Sequence, residues 1–280
     1  MIRKRPIGVS IVYYSVLSIF ALLVIIPFIW MISTSFEKFT TYSLPFPPTL
    51  FPKSISLDNY KFMFMNIPIW NYLLNTICIA LISVILNVII STLTGFVLSK
   101  GEFKGKSIML LVILTNMMVP FETKLLPMFD VVRTLGLSNS WLGVVLPSVM
   151  TNAMYIYFVK QYCDELPKDL YEAGVVDGAN KFKIYYKLFL PLLTPIIATI
   201  VVLDVINIWN DLLWPMIVLS DPELFTIQIG MTIYNSGSNG TVHAGMALAL
   251  SVVSILPLAA VFVFMQRYIV QSIAFSGMKQ

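Results

Sequence analysis

Long, nearly uninterrupted apolar blocks constrain the fold of this chain more than any other feature of its sequence. A helix must be about 20 residues long to cross about 30 Å of hydrocarbon, and six blocks come near or exceed that length. With 58% hydrophobic and 11% charged residues, the 280-residue chain has too few charges to cover the surface of a soluble domain, where about 25% of residues are charged. Lipid offers no partner for unpaired backbone groups, so each span must be helical. The predicted spans are residues 7–32, 72–98, 107–129, 141–159, 192–219 and 244–268.

Two of these spans need comment. Pro120, Glu122 and Lys124 interrupt the third span, and we expect its outer end to bend into a surface helix. The first span follows a basic start and resembles a signal peptide. Its apolar run exceeds the usual length of about 7–15 residues, however, and it lacks a small-residue cleavage site. We therefore expect an uncleaved first helix.

The distribution of basic residues predicts the orientation. Thirteen of the 18 Lys and Arg residues fall in residues 1–6, 99–106, 160–191 and the C-terminal tail. The positive-inside rule then places both termini in the cytoplasm of a multi-pass cell-membrane protein. This distribution explains the net charge of +4 without a nucleic-acid partner.

The remaining segments are predicted to be loops without a catalytic or metal-binding site. Residues 33–70 are rich in proline and predict an irregular external segment, and residues 220–243 contain several turn-forming pairs. Asn239-Gly240-Thr241 matches a glycosylation sequon but is interpreted as a turn. Cys78 and Cys163 are expected to be unpaired thiols, and His243, the single histidine, cannot form a metal site alone. We expect no metal, no cofactor and no catalytic residue.

The longest inner loop, residues 160–191, carries the strongest local pattern. Pro167 and Asp169 suit the first turn of a helix, and Asp177-Gly178 predicts its end, because glycine readily adopts the left-handed conformation. A second helix is predicted near Asn180, with Pro191 at the entry to the fifth span. The small residues Ala173 and Gly174 predict a flat side that another backbone could approach. These features alone fit either an ordinary surface hairpin or a docking element.

The spacing within this loop resembles the EAA signature of ABC importer permeases. That signature is Glu-Ala-Ala, three residues, Gly, nine residues, Ile, any residue and Leu-Pro. Glu172, Ala173, Gly178, Leu190 and Pro191 match it in register, while Gly174 replaces the second alanine and Leu188 the isoleucine. Residues 209–215 (WNDLLWP) and 267–270 (RYIV) resemble segments of the carbohydrate branch, the maltose-type inner permeases of the "G" kind.

This resemblance implies a fold and a set of partners. The fold is an all-α polytopic membrane protein with the type I ABC importer transmembrane architecture. The partners are a second homologous permease, two ATP-binding subunits, an external solute-binding protein, a carbohydrate substrate and the membrane lipid. The loop would be the element that couples the permease to the ATPase, through Glu172, Ala173, Gly174, Asp177, Gly178, Leu188, Leu190 and Pro191. The implied domains are residues 1–68, a permease domain at 69–268 containing the coupling loop, and a tail at 269–280.

The chain shows no nucleotide-binding motif of its own. Residues 101–107 (GEFKGKS) resemble a phosphate-binding loop, but three residues separate the glycines where four are required, and an apolar span precedes them in place of a strand. We interpret them as a tight basic loop. ATP hydrolysis is therefore expected in a separate chain, and this chain is not expected to be an enzyme.

The fifth span contains an unusual density of polar residues. Asp204, Asn207, Asp211 and Trp214 recur at spacings that would place them on one helix face, with Asn210 beside them. Charges at mid-membrane are costly, so the stripe predicts either a polar translocation path or inter-helix hydrogen bonds with anchors at the outer interface. Asn75, Asn87 and Asn116 are expected to form helix–helix contacts. Ser91 and Gly95 predict close helix packing.

Three classes of function remain open at this point. The favoured one is the permease of an ABC importer for a sugar or oligosaccharide, with glycerol-phosphate or another polar solute as a variant of the same class. The second is an ion-coupled secondary transporter that would use Asp204 or Asp211 as a relay. Such transporters usually contain repeats, which are not evident here. The third is a non-transporting membrane scaffold, in which the EAA-like spacing would have no role.

Overall fold

A computed structural model describes residues 7–38, 50–235 and 244–277 of the chain. The described part is helical apart from its connections and one isolated bridge between Glu37 and Ile55. The α-helices are α1 Ile7–Ser35, α2 Asp58–Asn66, α3 Ile69–Lys100, α4 Lys106–Met118, α5 Phe121–Thr134, α6 Trp141–Met150, α7 Ala153–Glu165, α8 Lys168–Val176, α9 Lys181–Ile184, α10 Leu190–Leu192, α11 Thr194–Asn210, α12 Leu213–Val218, α13 Ile227–Asn235 and α14 Ala244–Gly277. A π-helix, Tyr185–Phe189, connects α9 to α10, and a 3₁₀ turn, Pro222–Leu224, precedes α13.

The predicted all-α membrane fold is confirmed. Among the described residues, three helices are long and apolar enough to cross a membrane, and the number rises to six if each of three bent helix pairs counts as one span. The three bent pairs are Lys106–Met118 with Phe121–Thr134, Trp141–Met150 with Ala153–Glu165, and Lys181–Leu192 with Thr194–Asn210.

The bend in the third span is the predicted one. Lys106–Met118 and Phe121–Thr134 meet at 108° around Val119 and Pro120. Proline disfavours the helical conformation of the residue before it, and Val119 is accordingly extended.

The breaks in the fourth and fifth spans differ from the prediction of continuous helices over residues 141–159 and 192–219. The fourth span bends by 44° after Met150, where both the backbone N–H and the hydroxyl of Thr151 turn back to the carbonyl of Pro147. The fifth span bends by 73° at Leu193 and ends at Asn210, since Asp211 is extended. Apolar content does not distinguish an unbroken helix from a broken one.

The two segments predicted to be outer loops contain more helix than expected. The segment expected to be irregular at residues 33–70 includes α2, and the segment at residues 220–243 includes α13. The last helix extends beyond the predicted end at residue 268 to Gly277. The turn pairs at 236–237 and 239–240, the sequon at 239–241, His243 and the last three residues lie outside the described ranges.

The described chain divides into two compact units. One comprises the described parts of Met1–Ile69 and Gly230–Leu256, and the other those of Trp70–Ile229 and Pro257–Gln280. In the first unit, α1 is apolar on every side, and none of its most apolar 18-residue stretch is buried. A helix that is apolar all round is stable only in lipid or against other chains. The second unit contains the predicted coupling loop and the polar residues of the fifth span.

Candidate functional site

The predicted helical hairpin is present in the loop at residues 160–191. Its first helix, α8, begins after Pro167 and carries Asp169 in the first turn, where a negative charge interacts favourably with the helix dipole. The helix ends at Val176, with Gly178 in the left-handed conformation at φ +70°. Ala179 N–H donates to the carbonyl of Gly174, and Gly178 N–H donates to Val175, both at 3.0 Å. These two bonds form the Schellman motif that closes many helices.

The second half of the hairpin starts with a side-chain cap. Asn180 Oδ1 accepts a hydrogen bond from Lys183 N–H at 2.8 Å, which satisfies one of the free donors at the start of α9. The predicted helix–turn–helix, including its start near Asn180, is therefore confirmed.

Gly174 has a different role from the predicted one. We expected Ala173 and Gly174 to leave a flat side open to another backbone. Gly174 is instead buried, and a Cβ atom there would lie 3.0 Å from Ile184 Cγ1 and 3.1 Å from Leu188 Cδ1. The glycine allows the two arms of the hairpin to pack against each other. Ala173 remains exposed.

Pro191 shapes the exit from the hairpin. It has no N–H for the carbonyl of Lys187, and the turn before it is a π-helix in which Leu190 N–H donates to Tyr185, five residues back. Pro195 likewise has no N–H to donate to the carbonyl of Pro191. The hydroxyl of Thr194 donates to that carbonyl instead, at 2.7 Å. The two prolines thus account for both the π-turn and the bend that follows.

An aromatic cluster packs the hairpin against α3; we call its hairpin residues, Tyr171, Tyr185 and Phe189, the hairpin root. Phe96 of α3 packs against Tyr171, Tyr185 and Phe189, with ring centroids 4.9–6.3 Å apart. The Tyr185 hydroxyl lies 2.9 Å from the Thr92 hydroxyl in a buried site. Lys100 Nζ lies 5.7 Å from the centre of the Phe189 ring. This contact was not predicted from the sequence, although the aromatic residues Tyr171, Tyr185 and Phe189 in the loop were a signal for it.

The outward side of the hairpin is exposed and partly apolar. Glu172, Ala173, Asp177 and Gly178 are all exposed. Val176 is 86% exposed and Phe182 68% exposed. Both side chains belong to the same hairpin as the exposed residues of the EAA-like sequence.

The neighbouring inner loop is the predicted tight basic connection. Lys106 Nζ donates to the carbonyl of Ser99 at 2.9 Å and to that of Gly101 at 3.0 Å. A cation at the C-terminal end of a helix complements its dipole. Lys106 therefore closes α3.

The fifth span places two of its predicted polar residues in a hydrogen-bonded cluster, in which Asp204 is buried and Asn207 is exposed. Asn87 Nδ2 donates to Asp204 Oδ2 at 2.8 Å, and both residues are 3% exposed. The Tyr155 hydroxyl of α7 accepts a hydrogen bond from Asn207 Nδ2 of α11 at 3.3 Å. The cluster joins α3, α7 and α11 by hydrogen bonds, as expected for Asn87.

The other members of the predicted stripe lie apart from this cluster. The stripe required one continuous helix, but α11 ends at Asn210, so Asp211 and Trp214 do not share its face. The side-chain amide of Asn210 donates to the backbone carbonyl of Ile206, one turn earlier in the same helix. The Asp211 carboxylate accepts from the backbone N–H of Trp214. Trp214 is fully buried and donates its Nε1–H to the carbonyl of Val144 at 3.1 Å.

Asn75 and Asn116, which were predicted to form helix–helix contacts, instead bond backbone carbonyls of the connections between helices. Asn75 Nδ2 donates to the carbonyls of Glu223 and Phe225, which fixes the segment before α13 to α3. Asn116 donates to the carbonyl of Thr151 at 2.8 Å, within the break between α6 and α7.

Comparison with known proteins matches residues 87–275 to the family described as "Binding-protein-dependent transport system inner membrane component". The arabinooligosaccharides transport system permease protein AraQ of Halalkalibacterium halodurans is 32% identical over 262 residues, covering 92% of each chain. The lactose transport system permease protein LacG of Rhizobium radiobacter is 31% identical over 96% of this chain and 95% of that protein.

A solved structure has the same fold. It is that of a bacterial ABC transporter involved in the import of the acidic polysaccharide alginate. The matching chain is 25% identical with a TM-score of 0.78, and the match covers 92% of this chain and 95% of that one.

Proposed function

The chain belongs to the family of inner membrane components of binding-protein-dependent transport systems, and we propose from this premise that it is the permease subunit of an ABC importer for a sugar or oligosaccharide. Permeases of this family are not enzymes, and separate subunits hydrolyse the ATP. The observation that carries the proposal is the hairpin. It has the EAA-like spacing, a closed turn and a fixed root, and it keeps Glu172 and its neighbours exposed.

The proposed assembly follows from the family. This chain would pair with a second homologous permease, two ATP-binding subunits and an external solute-binding protein. Both termini would lie in the cytoplasm, so that the hairpin faces the ATPase. The distribution of basic residues supports this orientation.

The hairpin would transmit the motion of the ATPase through Glu172, Ala173, Asp177 and Gly178 at its surface. Gly174, Leu188, Leu190 and Pro191 would act from inside, because they set the packing of the two arms and the exit into the fifth span. The exposed Val176 and Phe182 support a protein contact at the same surface.

The proposed cargo is a carbohydrate. The names of the relatives, which concern arabinooligosaccharides and lactose, support this class. The proposed path residues are Asp204, Asn207, Asn210, Asp211 and Trp214. Asn207 and Asn210 are the exposed ones among them, so they are the first candidates for direct contact with the solute.

Affinity purification of the tagged chain from its membrane tests the proposal. We expect an ATPase and a second permease to co-purify. Glu172→Arg is expected to abolish the ATPase association, whereas Glu102→Arg, the same charge change on the adjacent inner loop, is expected to preserve it. Recovery of the wild-type chain without an ATPase would contradict the proposal.

Uptake assays test the cargo separately. Membrane vesicles from cells with and without the gene, supplied with ATP and the solute-binding protein, are offered a panel of labelled sugars, oligosaccharides and glycerol 3-phosphate. Uptake of glycerol 3-phosphate alone would move the assignment to that solute. Uptake that an uncoupler abolishes at constant ATP would favour an ion-coupled transporter.

A further inference from the structure

The bend at Leu193 separates the hairpin from the membrane part of the fifth span. Lys181–Leu192 and Thr194–Asn210 meet there at 73°. A free hinge at this point would absorb the movement of the hairpin before it reached the membrane. Signal transmission therefore requires that something hold the two arms of the bend together.

Helix α3 contacts both arms by buried hydrogen bonds. On the hairpin side of the bend, the Thr92 hydroxyl pairs with the Tyr185 hydroxyl at 2.9 Å. On the membrane side, Asn87 donates to Asp204 at 2.8 Å. Thr92 is fully buried and Tyr185 is 8% exposed, so water does not compete freely for either bond.

The positions of the two contacts on α3 also resist rotation. Thr92 and Asn87 are five residues apart, which corresponds to about 7.5 Å along the helix and about 140° around it. Two contacts on different sides of one helix fix both its translation and its rotation relative to the bend. The packing of Phe96 on Phe189, at 4.9 Å between ring centres, adds a third contact next to Thr92.

We propose that the hydrogen bonds Thr92–Tyr185 and Asn87–Asp204 lock the bend at Leu193, so that the hairpin, α3 and α11 move as one rigid body during transport. Thr92, Tyr185, Asn87 and Asp204 are then positioning residues for coupling. Their role rests on the proposed function, because it presupposes a moving ATPase beneath the hairpin. This role gives a reason for a carboxylate within the fifth span, because Asp204 binds α11 to α3 through Asn87.

A spin-label distance measurement tests this proposal in the assembled transporter. Cysteines replace Tyr186 on the hairpin and Leu81 on α3, both exposed, in a background with Cys78→Ala and Cys163→Ala. The distance between the labels is measured without nucleotide and after trapping with ATP and vanadate. In the otherwise native chain we expect one distance in both states.

Three variants are compared with it. Thr92→Val with Tyr185→Phe removes the lower bond, and Asn87→Leu with Asp204→Leu removes the upper bond. Each replaces both partners and so avoids leaving one of them unpaired. Thr199→Val is the matched control, since it removes a bond from Thr199 to Pro195 inside α11 that does not reach α3.

We expect either pair variant to shift the trapped distance by about 2 Å or more, the size of ordinary helix displacements in switching proteins, and the control to match the native chain. If the upper pair fails to assemble, the lower pair carries the test. Unchanged distances in an assembled pair variant would overturn the proposal, as would a nucleotide-dependent distance in the native chain. Failure of the native chain to recover an ATPase would instead contradict the proposed function.

Discussion

The backbone of Gly95 in α3 lies directly against the side chain of Val159 in α7. A Cβ atom at residue 95 would lie 2.7 Å from Val159 Cβ and 2.9 Å from the backbone nitrogen of Lys160. Neither neighbour is the flexible end of a side chain. The two helices can therefore approach this closely only because residue 95 is glycine.

Gly95→Ala is expected to destabilise the protein because its methyl group would force α3 and α7 apart. Overpacking of this kind costs about 1–3 kcal/mol. Thermal melting of the purified complex, followed by size-exclusion chromatography, measures the effect. Gly8→Ala is the matched control, because a Cβ at residue 8 of α1 meets nothing within 4 Å. Equal melting temperatures for the two variants would contradict this account of the α3–α7 contact.

The pair Ser91 and Gly95 shows what the sequence can predict about such contacts. Spacing alone predicts close packing, and Gly95 confirms it, but spacing does not identify Val159 as the partner. The hairpin was predictable for a similar reason, since its start, turn and cap depend on Pro167, Gly178 and Asn180 and on their immediate neighbours. Local chemistry of this kind is visible in the sequence.

The features that were not predicted depend on contacts between distant residues or on backbone groups that lose their hydrogen-bond partner. The bend at Leu193 arises from the combined effects of Pro191 and Pro195 on carbonyls four residues back, which a hydropathy average does not detect. The break at Asp211 removed the basis for a single polar face. Gly174 could be interpreted correctly only once Ile184 and Leu188 were in place, because they come from the opposite arm of the hairpin.

Trp214→Phe should lower the stability of the protein measurably. Its Nε1–H donates to the carbonyl of Val144 in a buried site. That carbonyl also accepts from the Ser148 hydroxyl at 3.0 Å, so the expected loss is the net contribution of one hydrogen bond, about 0.5–1.5 kcal/mol. Trp141→Phe is the matched control. Its Nε1 atom is buried without an acceptor among the described residues, so the substitution breaks no hydrogen bond. We expect the melting temperature to fall for Trp214→Phe only. A larger fall for Trp141→Phe would refute this prediction.

Substitutions of Gly178 should affect the hairpin according to how readily the new residue adopts the left-handed backbone conformation. Gly178 has a φ of +70°, and a Cβ there would meet nothing within 4 Å, so any penalty comes from the backbone and none from crowding. The left-handed conformation costs most residues about 1–2 kcal/mol, while asparagine tolerates it. Gly178→Val should accelerate proteolysis of the hairpin in inside-out vesicles, and Gly178→Asn should leave the rate near that of the native chain. Identical rates for the valine and asparagine variants would show that the turn does not depend on this conformation.

Asn59 should be essential for the segment that follows α1. It is fully buried, and its Nδ2 atom donates to the carbonyl of Ser35 at 2.9 Å and to that of Glu37 at 2.8 Å. Asn59→Ala would leave both carbonyls without this donor and would open a cavity, so we expect a loss of at least about 2 kcal/mol. Asn66→Ala is the control within the same helix. Asn66 is exposed, and within the described ranges its side chain bonds only the carbonyl of Phe62. Hydrogen exchange of α2 in the purified complex measures the difference. Exchange in α2 should increase for Asn59→Ala and remain native for Asn66→Ala. Native exchange in both would mean that this segment is held by its apolar contacts alone.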